Sequence, residues 1–507
     1  SLASPRLARP AVGRSLLGND IRRRHVHDEW GFSTNEIHAG QDPDPSNGSI
    51  TLPLFLTNAY QFHDTAQAAD IFALKAFGHS YTRISNPTQE AVEKRLAVLE
   101  GGTGALLVAS GMAATAMSIM NVAEAGDHVV SSRNIYGGIH NLLRFTLPKF
   151  GVETTFIDDP DDLDEWKRAV RPNTKVFFGE GVSNPLGVCL DIEGIANIAH
   201  DAGVPWVVDN TIATPYVTRP FDYGADVVTH SVSKYLAGHG TVIAGAIVDG
   251  GSFDFAKYPD RFPGFTQPDA SYNGVVYAEQ FGVKSPFGNI AFVIKARAQL
   301  LRDFGSSISP FTAWLTAQGL ETLAPRMQVH LANAQAVAEW LEQHPQVASV
   351  AYSGLPSSRW HRNQQRYAPK GAGSLMSFEI RGGLDAGRRF VEGLQAFARE
   401  GDDGFVAAAQ AQRGDAGEIV WRFTWENYAR LAGHGALGFD PVQPLIFGRS
   451  LGVASYLALT AMVLLEMCTT LGKTPSQLWK EIETRYGASV YKRIDYRIHC
   501  LKIKQIL

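Results

Sequence analysis

Cysteine is scarce in this chain. Three in 507 residues, Cys189, Cys468 and Cys500, stand far apart with no Cys-x-x-Cys pair. That excludes a disulfide framework and a thiolate zinc site, suggests no metal, and fits a reducing compartment. A surplus of either charge is missing too. Lys and Arg number 46 against 50 Asp and Glu, a formal net charge of −4, so the basic footprint of a dedicated nucleic-acid binder is absent. Long apolar runs are also lacking. The longest, Val453 to Leu465, is broken by Ser455, Tyr456 and Thr460; it is too short and too polar to span a bilayer and reads as a buried helix. No Gly-x-Gly-x-x-Gly follows a strand-like segment, which argues against a dinucleotide fold. What remains is 45% hydrophobic and 19% charged residues, an ordinary globular balance that excludes disordered, collagen-like and coiled-coil chains.

The length suggests roughly two to four domains. Residues 1–85 read as an N-terminal arm. Its first part carries Arg6, Arg9, Arg14, Arg22, Arg23 and Arg24 against one acid, Asp20. This composition fits an organelle transit peptide as well as a plain arm; the plain arm and a cytoplasmic location are the readings adopted. The stretch 33–90 is rich in turns and short apolar pieces and is expected to be extended.

From about residue 90 the pattern changes. Ala91 to Leu99 has helical spacing. Strands are expected at Ala105–Ala109, Asp127–Val130, Val152–Ile157, Thr174–Phe178, Pro205–Asp209, Ala225–Thr229 and Val242–Val248, with helices such as Ile192–Ala202 between several of them. Continuous Val- and Ile-rich strands alternating with helices mean an α/β fold whose mostly parallel sheet is covered on both faces. Residues 86–285 make this large domain. A smaller α/β domain follows over 286–400, with helices at 290–304, 310–319 and 328–343 and strands at 348–352 and 374–380. Residues 401–507 form an atypical tail that opens on a Gly-, Ala- and Asp-rich linker.

Ligands of such sheets sit beyond the carboxyl ends of the strands, and four pieces of sequence fall there. Pro205-Trp206-Val207-Val208-Asp209-Asn210-Thr211 is an apolar strand ending in an acid. Val227-Val228-Thr229-His230-Ser231-Val232-Ser233-Lys234 is a strand running into a hydroxyl-rich turn with a lysine. Ser110-Gly111-Met112 opens a helix whose free N–H groups suit an anion. Tyr136-Gly137-Gly138 offers an aromatic ring before two glycines. Each has a plainer reading alone: a cap, a solvated lysine, a common helix start, a surface turn. Together they ask for one ligand with a phosphate, a flat ring whose nitrogen welcomes a carboxylate, and an aldehyde that condenses with an amine. Pyridoxal 5′-phosphate (PLP) has all three.

The ordered set Glu36-Ile37-His38-Ala39-Gly40, Tyr81-Thr82-Arg83-Ile84-Ser85-Asn86-Pro87-Thr88, Ser110-Gly111-Met112-Ala113-Ala114, Asp209-Asn210-Thr211 and His230-Ser231-Val232-Ser233-Lys234-Tyr235 closely resembles the Cys/Met-metabolism PLP enzymes. Within them it resembles the O-acetylhomoserine sulfhydrylases, from about Phe32 to about Phe397. Arg261-Phe262-Pro263-Gly264-Phe265, Tyr272-Asn273-Gly274, Lys295-Ala296-Arg297 and Gln318-Gly319-Leu320-Glu321-Thr322-Leu323 favour that branch over the cystathionine synthases and lyases. The resemblance implies the aspartate-aminotransferase-like architecture called fold type I. It implies catalytic roles for Lys234, which holds the cofactor covalently and shuttles protons, for Asp209 at the ring nitrogen, and for Tyr136 against the ring. Ser110, Gly111, Met112, Ser231 and Ser233 would surround the phosphate, with Asn184 and Thr211 beside the ring. Tyr81 and Arg83 would reach the phosphate of a neighbouring subunit, so a homodimer or homotetramer is implied. The implied partners are an amino-acid substrate and sulfide, without nucleic acid or membrane. The implied reaction is γ-replacement: acetate leaves Cγ, sulfide adds, and homocysteine forms for methionine biosynthesis.

The resemblance ends near Phe397. The family continues with a loop of His-Pro-Ala-Ser type and an Arg-Leu-Ser-Val-Gly-like strand whose Arg grips the substrate α-carboxylate. Here the chain carries Trp421-Arg422-Phe423-Thr424-Trp425-Glu426 and a helical stretch at 455–469 instead. Its last part is faintly similar to the end of sugar phosphomutases but lacks their phosphate loop. Arg413, Arg422 and Arg430 are the tail's candidates for a carboxylate clamp. Alternatives therefore stand beside the sulfhydrylase: a cystathionine γ-synthase or γ-lyase type activity, or a PLP-binding protein with impaired catalysis.

Overall fold

The computed structural model describes residues 30–383 and the isolated positions 386, 387, 390, 412, 413, 419 and 420. The helix expected at 455–469, the linker after 400, Arg422 and Arg430 lie outside the described residues, as does the side chain of Arg413.

Seven strands form the central sheet: β1 (Gly104–Val108), β2 (His128–Ser132), β3 (Glu153–Ile157), β4 (Thr174–Glu180), β5 (Trp206–Asp209), β6 (Val227–Ser231) and β7 (Gly245–Asp249). Their spatial order is β1-β7-β6-β5-β4-β2-β3. The pairs β2–β3, β2–β4, β4–β5 and β5–β6 are parallel, and β7 runs antiparallel to both its neighbours. The sequence dictates this layer directly. Leu106, Val108, Val129, Val130, Val176, Phe177, Phe178, Val207, Val208, Val228, Ile247 and Val248 are all fully or almost fully buried. Strands apolar on both faces need helices on both faces.

The helices start where capping chemistry tells them to. Asn86 accepts from Thr88 N at 2.9 Å and Pro87 opens the helix Pro87–Glu100, which stops at Gly101 in the left-handed region (φ +80°). Ser110 caps the helix Gly111–Met120, and Asp191 caps Ile192–Asp201. A second, smaller core forms where Ala334, Val337, Ala338 and Leu341 of the helix Leu323–Gln343 meet Tyr352, Met376 and Phe378. That core is floored by the antiparallel pair β8 (Val347–Ala351) and β9 (Ser377–Ile380).

The stretch 33–90 differs from the extended arm expected. It holds the helices Phe32–His38 and Thr65–Phe72. Both are too short to show a clear period, and helices of this length persist only when docked. The first is docked: Glu36 Oε2 accepts from Ala324 N at 2.8 Å, and Arg95 Nε donates to Ala39 O at 3.0 Å. Among the described residues no helix is long and apolar enough to cross a membrane.

Candidate functional site

Three strand ends and one helix start converge at the carboxyl edge of the sheet. The register aligns Glu180 of β4 with Asp209 of β5, and Asp209 with Thr229 of β6. Ser231 ends β6 opposite Gly245, which also pairs with Val108, the end of β1. The turn after β1 therefore delivers the helix Gly111–Met120 to the tip of β6. Contact there is tight. A Cβ at Gly111 would lie 2.6 Å from Ser231 Cβ, and one at Gly245 would lie 2.0 Å from Ser110 O. Only glycine permits both approaches.

Thr211 ties the two central strand tips together. Its N–H donates to Asp209 Oδ1 at 2.9 Å, and its Oγ1 accepts from Ser231 N at 2.8 Å. The turn from Ser231 then carries Ser233 and Lys234, closed by Lys234 N donating to Ser231 O at 3.1 Å. The Lys234 side chain is exposed, and its ammonium has no hydrogen bond or ion pair among the described residues. Tyr136 precedes the short helix Gly137–Asn141 and is also exposed. A Cβ at Gly138 would lie 2.5 Å from the Tyr136 ring, so the second glycine leaves the ring room to approach the backbone closely.

The sequence reading stopped short of Glu180. Its carboxylate accepts from Tyr136 N at 2.6 Å through Oε1 and from Asn184 N at 2.7 Å through Oε2, joining two expected site residues. Its signal is the one that singled out Asp209: an apolar strand ending in an acid. Both acids are buried. Loss of water and the neighbouring Asp209 charge push Glu180 well above the usual carboxylate range, and burial raises Asp209 despite its hydrogen bonds from Thr211. No Lys or Arg forms an ion pair with either acid among the described residues. Two adjacent buried carboxyls without an ion pair, and with only the His230 imidazole acting on Asp209 from nearby, leave a place for a cationic group.

The other expected residues fall into two sets. Gly111 and Met112 present N–H groups from a helix's first turn, where no intrahelical acceptor exists and the dipole favours an anion. Ser231 stands beside them. By contrast, Ser110 Oγ accepts from Ala113 N at 3.1 Å, and Ser233 Oγ exchanges hydrogen bonds with Ala244 N and O at 2.9 and 3.1 Å. These two hydroxyls shape the backbone of the site. Tyr81 and Arg83 make other contacts. Arg83 Nη1 donates to Arg302 O, and its guanidinium lies 5.4 Å from the Tyr81 ring centroid; neither bonds to Gly111, Met112, Ser231 or Ser233.

The residues present thus fit PLP. The buried acid pair suits a protonated ring nitrogen, the glycine-opened helix start suits a phosphate, and an exposed lysine one strand from Asp209 suits an aldehyde. Comparisons with known proteins agree. The chain is 45% identical over 368 residues to an O-acetyl-L-homoserine sulfhydrylase of Leptospira meyeri, covering 72% of this chain and 83% of the relative. It is 42% identical over 418 residues to a homocysteine synthase of Schizosaccharomyces pombe, covering 82% of this chain and 93% of that one. A crystal structure of an O-acetylhomoserine (thiol)-lyase from Campylobacter jejuni, which carries pyridoxyl-lysine-monophosphate, superposes with a TM-score of 0.68 at 39% identity over 72% of this chain and 88% of its own. The model of the Cys/Met metabolism PLP-dependent enzymes matches residues 33–405, and the chain, with its mostly parallel fold type I sheet, belongs to that PLP-dependent family.

Proposed function

We propose that the protein catalyses γ-replacement on O-acetylhomoserine: the acetate at Cγ leaves, sulfide takes its place, and homocysteine is released. The observation that carries this reading is the 45% identity to a sulfhydrylase over 368 residues, 72% of this chain. PLP, when bound, supplies a sink for the electron pairs released at Cα and Cβ. The chain supplies the rest. Asp209 holds the ring nitrogen protonated and Thr211 fixes that carboxylate. Gly111, Met112 and Ser231 bind the phosphate, with Ser110 and Ser233 keeping their backbone in place. Tyr136 covers the ring and Asn184 lies at its side. Lys234 anchors the cofactor and then moves protons between substrate carbons, work that suits an exposed amine on a short turn.

Tyr81 and Arg83 serve a second copy of the chain in this reading. Among the described residues they make no bond to their own phosphate set, which supports a homodimer or homotetramer with shared sites, since an Arg fork matches phosphate oxygens. The scattered cysteines, with Cys189 buried and pushed up to about 12 by burial, suit a cytoplasmic setting.

Purified protein loaded with PLP tests the reading. Steady homocysteine formation from O-acetylhomoserine and sulfide is the expected result, and Lys234→Ala should lower it more than about 100-fold, the low end of what a positioned proton-transfer group contributes. Faster turnover with cysteine in place of sulfide would point instead to cystathionine synthesis. A yellow protein fixed by borohydride but without turnover would mean that the departure after Phe397 has disabled catalysis.

A further inference from the structure

The turn bearing Lys234 is gripped from beneath by a residue remote in sequence. Arg326, on the helix Leu323–Gln343, is buried. Its Nη1 donates to Tyr235 O at 2.6 Å. Its Nη2 donates to Gly319 O at 2.7 Å and reaches Leu236 O at 3.5 Å, and its Nε donates to Thr322 Oγ1 at 3.2 Å. Two glycines make room for the grip. A Cβ at Gly238, where φ is +69°, would lie 2.2 Å from Arg326 Nη1, and one at Gly319 would lie 2.2 Å from Ala237 O. The fork thus holds the two residues after Lys234 against the end of a helix.

A buried guanidinium needs a counter-charge. The helix Phe32–His38 brings one. Glu36 is buried, accepts from Ala324 N two residues before Arg326, and its charge opposes the burial that pulls Arg326 down to about 10. Burial raises Glu36 itself to about 6, with the Ala324 N–H and Arg326 acting against that rise. This accounts for two motifs the site leaves unused, Glu36 in the arm and Gly319 before the long helix.

We propose that Arg326 is a positioning residue for the lysine turn and that the Glu36 carboxylate, docked beside it on Ala324 N, steadies it: by pinning the carbonyls of Tyr235 and Leu236, Arg326 sets where the Lys234 amine stands relative to Asp209. The proposal rests on the reading of Lys234 as the cofactor's anchor. Arg326→Lys keeps the charge and loses the fork; Glu36→Gln keeps an acceptor for Ala324 N and loses the charge. For both holoproteins and the wild type, kcat and KM for O-acetylhomoserine, the pH midpoint of the bound cofactor's visible absorbance, and Tm are measured. Arg326→Lys should lower kcat ~10- to 100-fold, the effect of misplacing a reacting group by about 1 Å, with little change in KM and a displaced absorbance midpoint. Glu36→Gln should move kcat and midpoint the same way by less, and it carries the test if Arg326→Lys does not fold. A lowered Tm with unchanged kcat and midpoint in both variants would overturn the proposal, leaving a purely structural clamp. If wild type takes up the cofactor but makes no homocysteine, the sulfhydrylase reading fails while the midpoint still decides the role of Arg326. If wild type takes up no cofactor, both fail.

Discussion

The sheet buries a pair of acids at each of its two edges, and the pairs are not alike. At the carboxyl edge Glu180 and Asp209 lie side by side on adjacent strands with backbone N–H and hydroxyl donors but, among the described residues, no ion pair. At the other edge β7 ends in Asp249, opposite Val227 and Gly104, close to Asp226. There one of the two acids has an imidazole partner in the chain. Asp249 accepts from Gly251 N and Val293 N at 2.9 and 3.3 Å. Asp226 accepts from Trp206 N at 2.9 Å, from Ser252 Oγ at 2.6 Å and pairs with His200 Nε2 at 2.8 Å. Burial of an acid, even of one without a cation such as Asp249, therefore does not mark the site by itself; a buried pair with no ion pair that also stands beside a glycine-opened helix start does, because a ligand with a cationic ring and a phosphate suits both.

The largest effects test that distinction at the carboxyl edge. Asp209→Asn should lower homocysteine formation ~10²- to 10³-fold, the range for losing a preorganised electrostatic partner. The same substitution should leave Tm unchanged or raise it, since it removes the like charge beside Glu180. A fall in Tm with activity intact would make Asp209 an ordinary structural acid. Glu180→Gln should cost less activity, because Asp209 still faces the ring nitrogen while the hold on Tyr136 N or Asn184 N is weakened; a shift in KM and in the cofactor's absorbance midpoint is the readout. A loss as large as that of Asp209→Asn would show that the two acids act as one unit.

The contrast also marks what the sequence alone could disclose. The strands were legible because a buried parallel strand is mostly apolar, as in Val207-Val208 and Val227-Val228, and Asp209 was legible as the polar residue ending such a run. Glu180 obeys the same rule, but a strand reading that ends at Phe178 stops two residues early. The helix Phe32–His38 carries no visible period because docking, not propensity, holds it. Arg326 could not be read at all. Apart from the Thr322 hydroxyl, its partners are backbone carbonyls up to 91 residues away, and a carbonyl has no identity in a sequence.

At the amino edge the expected effects fall on stability and not on chemistry. Asp249→Asn points an NH2 group at backbone N–H donors, so it should cost ~1–3 kcal/mol, the penalty for a buried group left unpaired, with turnover per folded enzyme unchanged. Burial raises the Asp249 carboxyl from 3.8 to about 7. Between those values the folded state binds more protons than the unfolded state, so the contribution is full below pH 3.8 and fades as pH rises to about 7. Chemical denaturation at pH 4 and pH 7 should therefore show wild type losing stability that Asp249→Asn does not lose. Parallel pH curves for the two proteins would contradict the burial argument.

The smallest effect belongs to His200, whose imidazole is raised above 6.5 chiefly by its hydrogen bond to Asp226, whose side chain is almost fully buried while the imidazole is 40% exposed. A raised cation gives stability that is complete below pH 6.5 and disappears as pH climbs through the folded value, so wild type should exceed His200→Gln on the acid side and approach it in alkali. Solvent screening of the half-exposed ring holds the difference to below about 1 kcal/mol. Salt should shrink it further, because screening acts on exposed charges first. The measurement is a pair of urea midpoints on either side of neutrality. Were His200→Gln to lose more stability in alkali than in acid, Asp226 would depend on the ring as a neutral hydrogen-bond partner, and the counter-charge that separates this edge from the site would not be the imidazolium.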